Sequence, residues 1–234
     1  MSHKYLAFDI ETAKVLPENV SDLNSFRPLG ITCAAIWCTE KNEPEVFYSE
    51  TPDGFPAPQM SEQDLVSLIK YIQQKVDSGY TIITHNGLGF DFDILAEESG
   101  HFSACRKLAL QHVDMMYHFF CGKGFPISLN AAAKAIGLSK PADIDGAVAP
   151  TLWKEKEYQK VLEYVAQDCR LTLDIAETSE QNDRISWITQ RGKQSYFELP
   201  SGWLTVEQAS KLPLPDTSWM DNPWPRSKFT HWLE

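Results

Sequence analysis

A phenol and a carboxylate one helical turn apart, Tyr164 and Asp168, are the pair around which the chain's other acidic groups can be arranged. From Tyr158 to Glu177, Val161, Leu162, Val165, Leu171, Leu173 and Ile175 recur near helical spacing with no Gly or Pro between them, so Tyr164 and Asp168 share one helix face. Such a pair can bind a metal and align a water at one centre, provided that other carboxylates reach it from elsewhere in the fold. Two upstream groups qualify: Asp9-Ile10-Glu11, ending an apolar run, and Asn86-Gly87-Leu88-Gly89-Phe90-Asp91, following another. Asp9 and Glu11 fall on the same side of an extended chain, where they repel each other and need a cation or a proton to stand together. Each group also has a plain structural explanation: a polar strand end, a glycine turn whose Asp offsets a helix dipole, or a phenol on a helix surface.

Several elements must position these groups. Tyr5 to Ile10 suits a buried central strand, with Asp9 and Glu11 at or just beyond its end. After a long loop from Ala13 to Gly30, Ile31 to Thr39 and Glu45 to Ser49 read as strands of an antiparallel meander. A proline-rich connector, Thr51 to Met60, leads to a helix capped by Ser61 and running to about Asp77, with Leu65, Leu68, Ile69, Ile72 and Val76 as its buried stripe. Gly79 ends it, and Tyr80 to Thr84 is the next buried strand. A helix opening with Phe90, Ile94 and Leu95 puts Asp91 near its N-terminus, while Asp93 is a rival carboxylate on a different side.

His101 to Val113 reads as helix, and Asp114 to Phe120 as strand or helix, mostly core. Gly122-Lys123-Gly124-Phe125-Pro126 lacks P-loop spacing and reads as an exposed loop, with Lys123 its candidate for a phosphate. Ser128 to Ile136 is a short amphipathic helix closed by Gly137, and Pro141 to Pro150 an irregular acidic connector.

Composition changes after about Asn182. Ile185 to Gln190 and Gln194 to Leu199 flank Arg191-Gly192-Lys193 as a hairpin, and Thr205 to Gln208 offers a capping box. The remainder carries Pro213, Pro215, Pro223 and Pro225 with Trp203, Trp219, Trp224 and Trp232, too aromatic for a disordered tail. From Ile185 onward five basic and five acidic residues leave it neutral. Its indoles can either anchor the tail to the core, the reading favoured for most of them, or present stacking faces to unpaired bases beside Arg191 and Lys193. The expected division is residues 1–182 as one domain and 183–234 as an extension packed on it.

A formal net charge of −11 argues against broad electrostatic attachment to nucleic acid, although a cluster of metal-binding carboxylates inflates that figure. The five cysteines include no C-x-x-C pair, so reduced thiols in a cytoplasmic protein are expected. No apolar run approaches membrane-spanning length, and Met1 to Lys4 carry no apolar core of a signal peptide, so no membrane association is expected.

Taken in order, Asp9-x-Glu11, Asn86-Gly-x-x-Phe90-Asp91 and Tyr164-x-x-x-Asp168 resemble the three-motif signature of DEDD-type 3′-5′ exonucleases with a ribonuclease H-like fold. The tyrosine subtype is indicated, because Glu163 stands where the histidine subtype has its His. The second motif is most similar to that of the proofreading domain of family B DNA polymerases and of related standalone bacterial exonucleases. The resemblance covers about Tyr5 to Ala176 and implies an α/β protein, a mixed β-sheet flanked by helices, with the hairpin and the Trp/Pro-rich extension added.

It also implies a standalone metal-dependent 3′-5′ exonuclease acting on single-stranded nucleic acid with a free 3′ end, DNA rather than RNA. Four acidic oxygen donors suit two Mg²⁺ or Mn²⁺ ions, ~3.5–4 Å apart in such sites. By resemblance Asp9 bridges the ions, Glu11 and Asp168 complete the water-activating site, Asp91 holds the second ion, and Tyr164 orients the attacking water. Asn86, Phe90, Arg191 and Lys193 are the candidate substrate contacts. Two competing readings are a catalytically idle module of the same fold that binds nucleic acid or protein, and a hydrolase of short oligonucleotides.

Overall fold

Alternation along the first strand, β1 (Tyr5–Thr12), divides its side chains between two layers. Leu6, Phe8 and Ile10 enter one core, whereas Tyr5 and Ala7 enter the other. Asp9 and Glu11 continue the second row, so the strand that builds the core also delivers the carboxylates. The structure is a computed structural model describing residues 3–17, 20, 22–140 and 146–234.

β1 lies at the centre of a five-stranded sheet of order β3-β2-β1-β4-β5. The strands β2 (Ile31–Cys38) and β3 (Glu45–Phe47) complete the expected antiparallel meander, and β4 (Thr81–Thr84) and β5 (Val113–Asp114) add in parallel. On one face pack α1 (Glu62–Asp77), α2 (Asp91–Ser99) and α3 (Phe102–Gln111). Ser61 caps α1 by accepting from Asp64 N, and Leu65, Leu68, Ile69 and Ile72 form its buried stripe.

The region expected to be strand or helix resolves into both: β5 ends at Asp114, which caps α4 (Met115–Lys123). Past α5 (Leu129–Ala135) and α6 (Ala149–Lys154), the long α7 (Tyr158–Gln181) crosses the other face of the sheet. There follow the hairpin β6 (Arg184–Ile188) and β7 (Gln194–Glu198), then α8 (Val206–Ala209) and α9 (Ser227–Thr230).

Three local expectations are corrected. β1 continues to Thr12 because its pairing with β2 does, which puts Asp9 and Glu11 inside the strand rather than past it. Gly122 to Pro126 is not an exposed loop: a β-carbon on Gly122 would stand 2.4 Å from the Phe197 ring, and one on Gly124 2.3 Å from Thr217, so hairpin and tail cover the segment. Lys123 lies over the Phe197 ring, 5.8 Å from its centroid. Of the connector from Pro141 to Pro150, residues 141–145 lie outside the described residues, and Ala149 and Pro150 already open α6, where a proline's missing N–H costs nothing.

The extension is built into both cores. Ile185, Trp187, Leu199 and Trp203 join the α7 side, and Val206, Ala209 and Phe229 the α1 side. Each large apolar side chain so buried contributes ~1.5–3 kcal/mol. Trp203 donates to Ala176 O at 3.2 Å and Trp232 to Leu88 O at 2.7 Å, whereas Trp219 and Trp224 remain exposed. All five cysteines are buried and free, and no helix among the described residues is long and apolar enough to cross a membrane.

Candidate metal-carboxylate site

The site opens where parallel pairing stops. β4 accompanies β1 only from Tyr5 to Ala7, after which the chain turns away at Thr84 and leaves the rest of that β1 edge free. Crevices beyond the carboxyl ends of parallel strands are where α/β sheets place their ligands. Asp91, first residue of α2, fills this one and accepts the unpaired Ile10 N–H at 3.0 Å. On the other side α7 brings Tyr164 and Asp168 down on the Asp9 row, with Cys169 donating to Ala35 O beneath them. Asp9, Glu11, Tyr164, Asp168 and Phe90 line one cleft of about 730 Å³.

A turn held from below sets Asp91. Asn86 has φ of +79°, a conformation that Asn tolerates better than most residues. Asp114, fully buried, accepts from Asn86 N (3.0 Å) and Tyr117 N (3.0 Å) through Oδ1 and from Leu88 N (2.9 Å) through Oδ2. Thr84 Oγ1 accepts from Gly87 N at 3.1 Å and donates to His112 Nε2 at 3.0 Å, while His112 Nδ1 donates to Ala109 O. Gly87 is required for close approach, since a β-carbon there would lie 2.4 Å from Thr84 Oγ1. From the outer side the tail closes on the turn, through Trp232 to Leu88 O and Phe229 against Gly89.

The electrostatics are those of an acidic cluster short of positive charge. Burial first, then the charges of Asp91, Asp168 and Glu11, push the Asp9 carboxyl well above its ordinary range. Burial pushes Asp91 up to about 7 against the pull of Ile10 N–H, and Asp9 hydrogen-bonds to it. Burial also raises Asp168, against the pull of Lys140. The Tyr164 phenol is raised by burial and by Asp168, so it is held as a proton donor.

Lys140 brings a cation into this cluster: its ammonium pairs with Asp168 Oδ2 and donates to Tyr164 Oη at 3.1 Å. Burial would lower it, but Asp168 more than offsets that and holds it above its ordinary value. Among the described residues no three His, Cys, Asp or Glu side chains stand at ready metal-holding geometry, and Lys140 lies among the carboxylates instead. The donor set nevertheless fits hard cations. Asp168 Oδ1 is buried with no hydrogen-bond partner, and the neighbouring thiols of Cys33 and Cys169 are pushed up by burial and stay protonated, so the donors that Asp9, Glu11, Asp91 and Asp168 offer are carboxylate oxygens.

The rival carboxylate has other work. Asp93 pairs with Arg27, which also holds Glu97 at 2.8 Å, and His231 stands 3.8 Å away. Of the candidate substrate contacts, Phe90 lines the cleft; Asn86 does not, and its backbone conformation accounts for it. Arg191 and Lys193 stand exposed on the hairpin turn, lining a separate groove. Two residues of consequence escaped the reading of the sequence. Asp114 carried a signal, an Asp just before a helix, whereas nothing near Lys140 announces its partner on α7.

The chain belongs to the RNase H superfamily, whose model matches residues 6–179. No curated protein matches it. Among solved structures, a family B DNA polymerase from the hyperthermophilic archaeon Pyrobaculum calidifontis is similar at 19% identity and a TM-score of 0.53, over 76% of this chain and 25% of the polymerase. E. coli exonuclease I, solved in complex with an oligonucleotide, matches at 18% identity and a TM-score of 0.39, over 78% of this chain and 41% of its own. The chain thus spans a quarter of the first and two fifths of the second, and the likeness to the polymerase is one of fold.

Proposed function

We propose that the protein is a metal-dependent 3′-5′ exonuclease acting on single-stranded nucleic acid, DNA rather than RNA. The observation that carries this is the convergence of Asp9 and Glu11 from β1, Asp91 from α2, and Tyr164 and Asp168 from α7 at one end of the sheet. Mg²⁺ or Mn²⁺ held by Asp9, Glu11, Asp91 and Asp168 would stabilise charge on the phosphate and lower the pKa of the attacking water. Tyr164, kept protonated, donates to and orients that water rather than deprotonating it. The Phe90 ring, on the cleft wall, offers a face to the terminal nucleotide. Lys140 holds Asp168 through Oδ2, so Oδ1 is the oxygen that would meet a cation, and binding through both oxygens would require Lys140 to withdraw.

Residues 1–182 are read as the nuclease domain and 183–234 as its extension, in a cytoplasmic protein with reduced thiols. The pairing of Lys140 with Asp168 favours one alternative, a catalytically idle module whose acidic cluster is neutralised from within. An oligonucleotide labelled at its 3′ or 5′ end, incubated with Mg²⁺ or Mn²⁺, separates the two. Loss of the 3′ label first, blocked by chelator, is the expected result. An intact oligonucleotide under both metals would favour the idle module, and a chain-length series tests for a preference for short oligonucleotides.

A further inference from the structure

A groove of about 930 Å³ abuts the acidic cleft, bounded by Phe125 and Ile127, by Trp187 of β6, by Arg191 and Lys193 of the hairpin turn, and by Trp219. Ser128 lines both hollows. Across α5, Ala131 faces the groove while Leu129, Asn130 and Lys134 face the cleft, so a polymer leaving the cleft over Ser128 enters the groove directly. The chain carries a net charge of −11, yet among the described residues no acidic side chain lines the groove, and its charged residues are Arg191 and Lys193. Both are exposed, and neither forms an ion pair among the described residues.

Trp219 is 67% exposed and is held edge-on by Phe125, with ring centroids 6.0 Å apart at 79°. Phe125 in turn meets Trp187 at 6.2 Å. An indole fixed in this way keeps a face free for a flat ligand. The hairpin and Trp219 lie beyond residue 179, where the superfamily match ends, so the extension supplies the groove's basic side and its exposed indole, while Phe125, Ile127, Ser128 and Ala131 come from the matched domain.

We propose that this groove binds the unpaired nucleotides on the 5′ side of the terminal one, stacking a base on Trp219 and placing phosphates against Arg191 and Lys193. Aromatic faces paired with cations accept any base sequence, as a processive site on a single strand requires. The proposal rests on the acidic cleft being the seat of the 3′ end, and its test keeps binding apart from hydrolysis.

Binding of a long labelled oligothymidylate, and of its oligouridylate counterpart, is followed by fluorescence anisotropy in chelator as salt is raised, using the full chain. Trp219→Ala is expected to weaken binding roughly 5- to 150-fold, the loss of one stacked base. The double variant Arg191→Ser, Lys193→Ser should make the log–log salt dependence shallower by about 1.4, at about 0.7 per single-strand phosphate. Leu214→Ala, 81% exposed on the same tail but away from the groove, should change neither. With Mn²⁺ present, the preference in kcat/KM for the long strand over a trinucleotide should fall in the groove variants.

Unchanged strand binding in both groove variants overturns the proposal. So does a wild-type protein that binds neither strand, or a Trp219→Ala variant that alters self-association or peptide binding instead of strand binding. If the groove variants lose binding while neither substrate is hydrolysed by any protein, the groove stands and the nuclease reading falls.

Discussion

Asp91 and Asp93 are two positions apart on α2 and have separate fates, because Asp91 reaches the β1 edge while Asp93 turns to Arg27. Asp91→Asn is expected to abolish metal-dependent hydrolysis with the fold intact. Asp93→Asn should leave hydrolysis standing but lower stability by about 1–3 kcal/mol, the usual loss for a buried hydrogen bond to a charged partner. Activity assays with thermal melts on both variants decide it, and the reverse order would move the site to Asp93. Lys140 supports a second expectation. In metal-free protein its ammonium relieves repulsion among Asp9, Asp91 and Asp168. Lys140→Met should therefore melt lower than wild type in chelator and gain more on addition of Mn²⁺. Equal gains would mean that the ammonium and the metal do not compete.

Among the elements, the turn between β4 and α2 depends on one buried carboxylate. Asp114→Asn keeps an oxygen for Asn86 N and Tyr117 N but turns an amide toward Leu88 N, leaving a donor facing a donor. A cost of about 1–3 kcal/mol is expected in urea denaturation, with hydrolysis reduced because Asp91 loses its footing. Wild-type stability and rate would show that the turn holds itself. The contrast with Asp91 explains what the sequence made legible. Carboxylates at strand ends and a Tyr and Asp one turn apart can be read because strand and helix periodicity places them. The contacts of Asp114 with Asn86 and of Lys140 with Asp168 each span 28 positions, and no local pattern encodes them. For the same reason the fold was legible down to the meander and α7, while Gly122 to Pro126 looked exposed until the hairpin was laid over it.

The buried histidines tie the stability of the whole molecule to pH. Burial holds His118 down to about 4 from an ordinary 6.5, and its Nδ1 accepts from Leu204 N at 3.3 Å, so the folded chain keeps it neutral. The unfolded chain takes up the proton first as pH falls. The stabilisation is therefore complete above about 6.5 and is lost toward pH 4, on the order of 3 kcal/mol in all. His118→Gln should flatten the dependence of the urea midpoint on pH across that window relative to wild type. An unaltered slope would place the titration elsewhere. Truncation after Asn182 tests the extension at the same scale. It removes Trp203, Val206 and Phe229 from two cores, so the shortened chain should melt lower or aggregate. A truncated protein melting like the full one would make the extension an independent appendage.

The hydrogen bond from Trp232 to Leu88 spans 144 positions, and it fastens the turn that carries Asp91 from outside. A ribosome adding ~5–20 residues per second finishes the turn roughly 7–30 s before it supplies the indole that latches it. During that interval Leu88 O lacks its indole donor and the turn rests on Asp114, Thr84 and its own backbone bond from Phe92 N to Gly87 O. A nascent chain therefore makes the turn that carries Asp91 well before the indole that fastens it from outside, and in the meantime the turn rests on bonds formed beneath it.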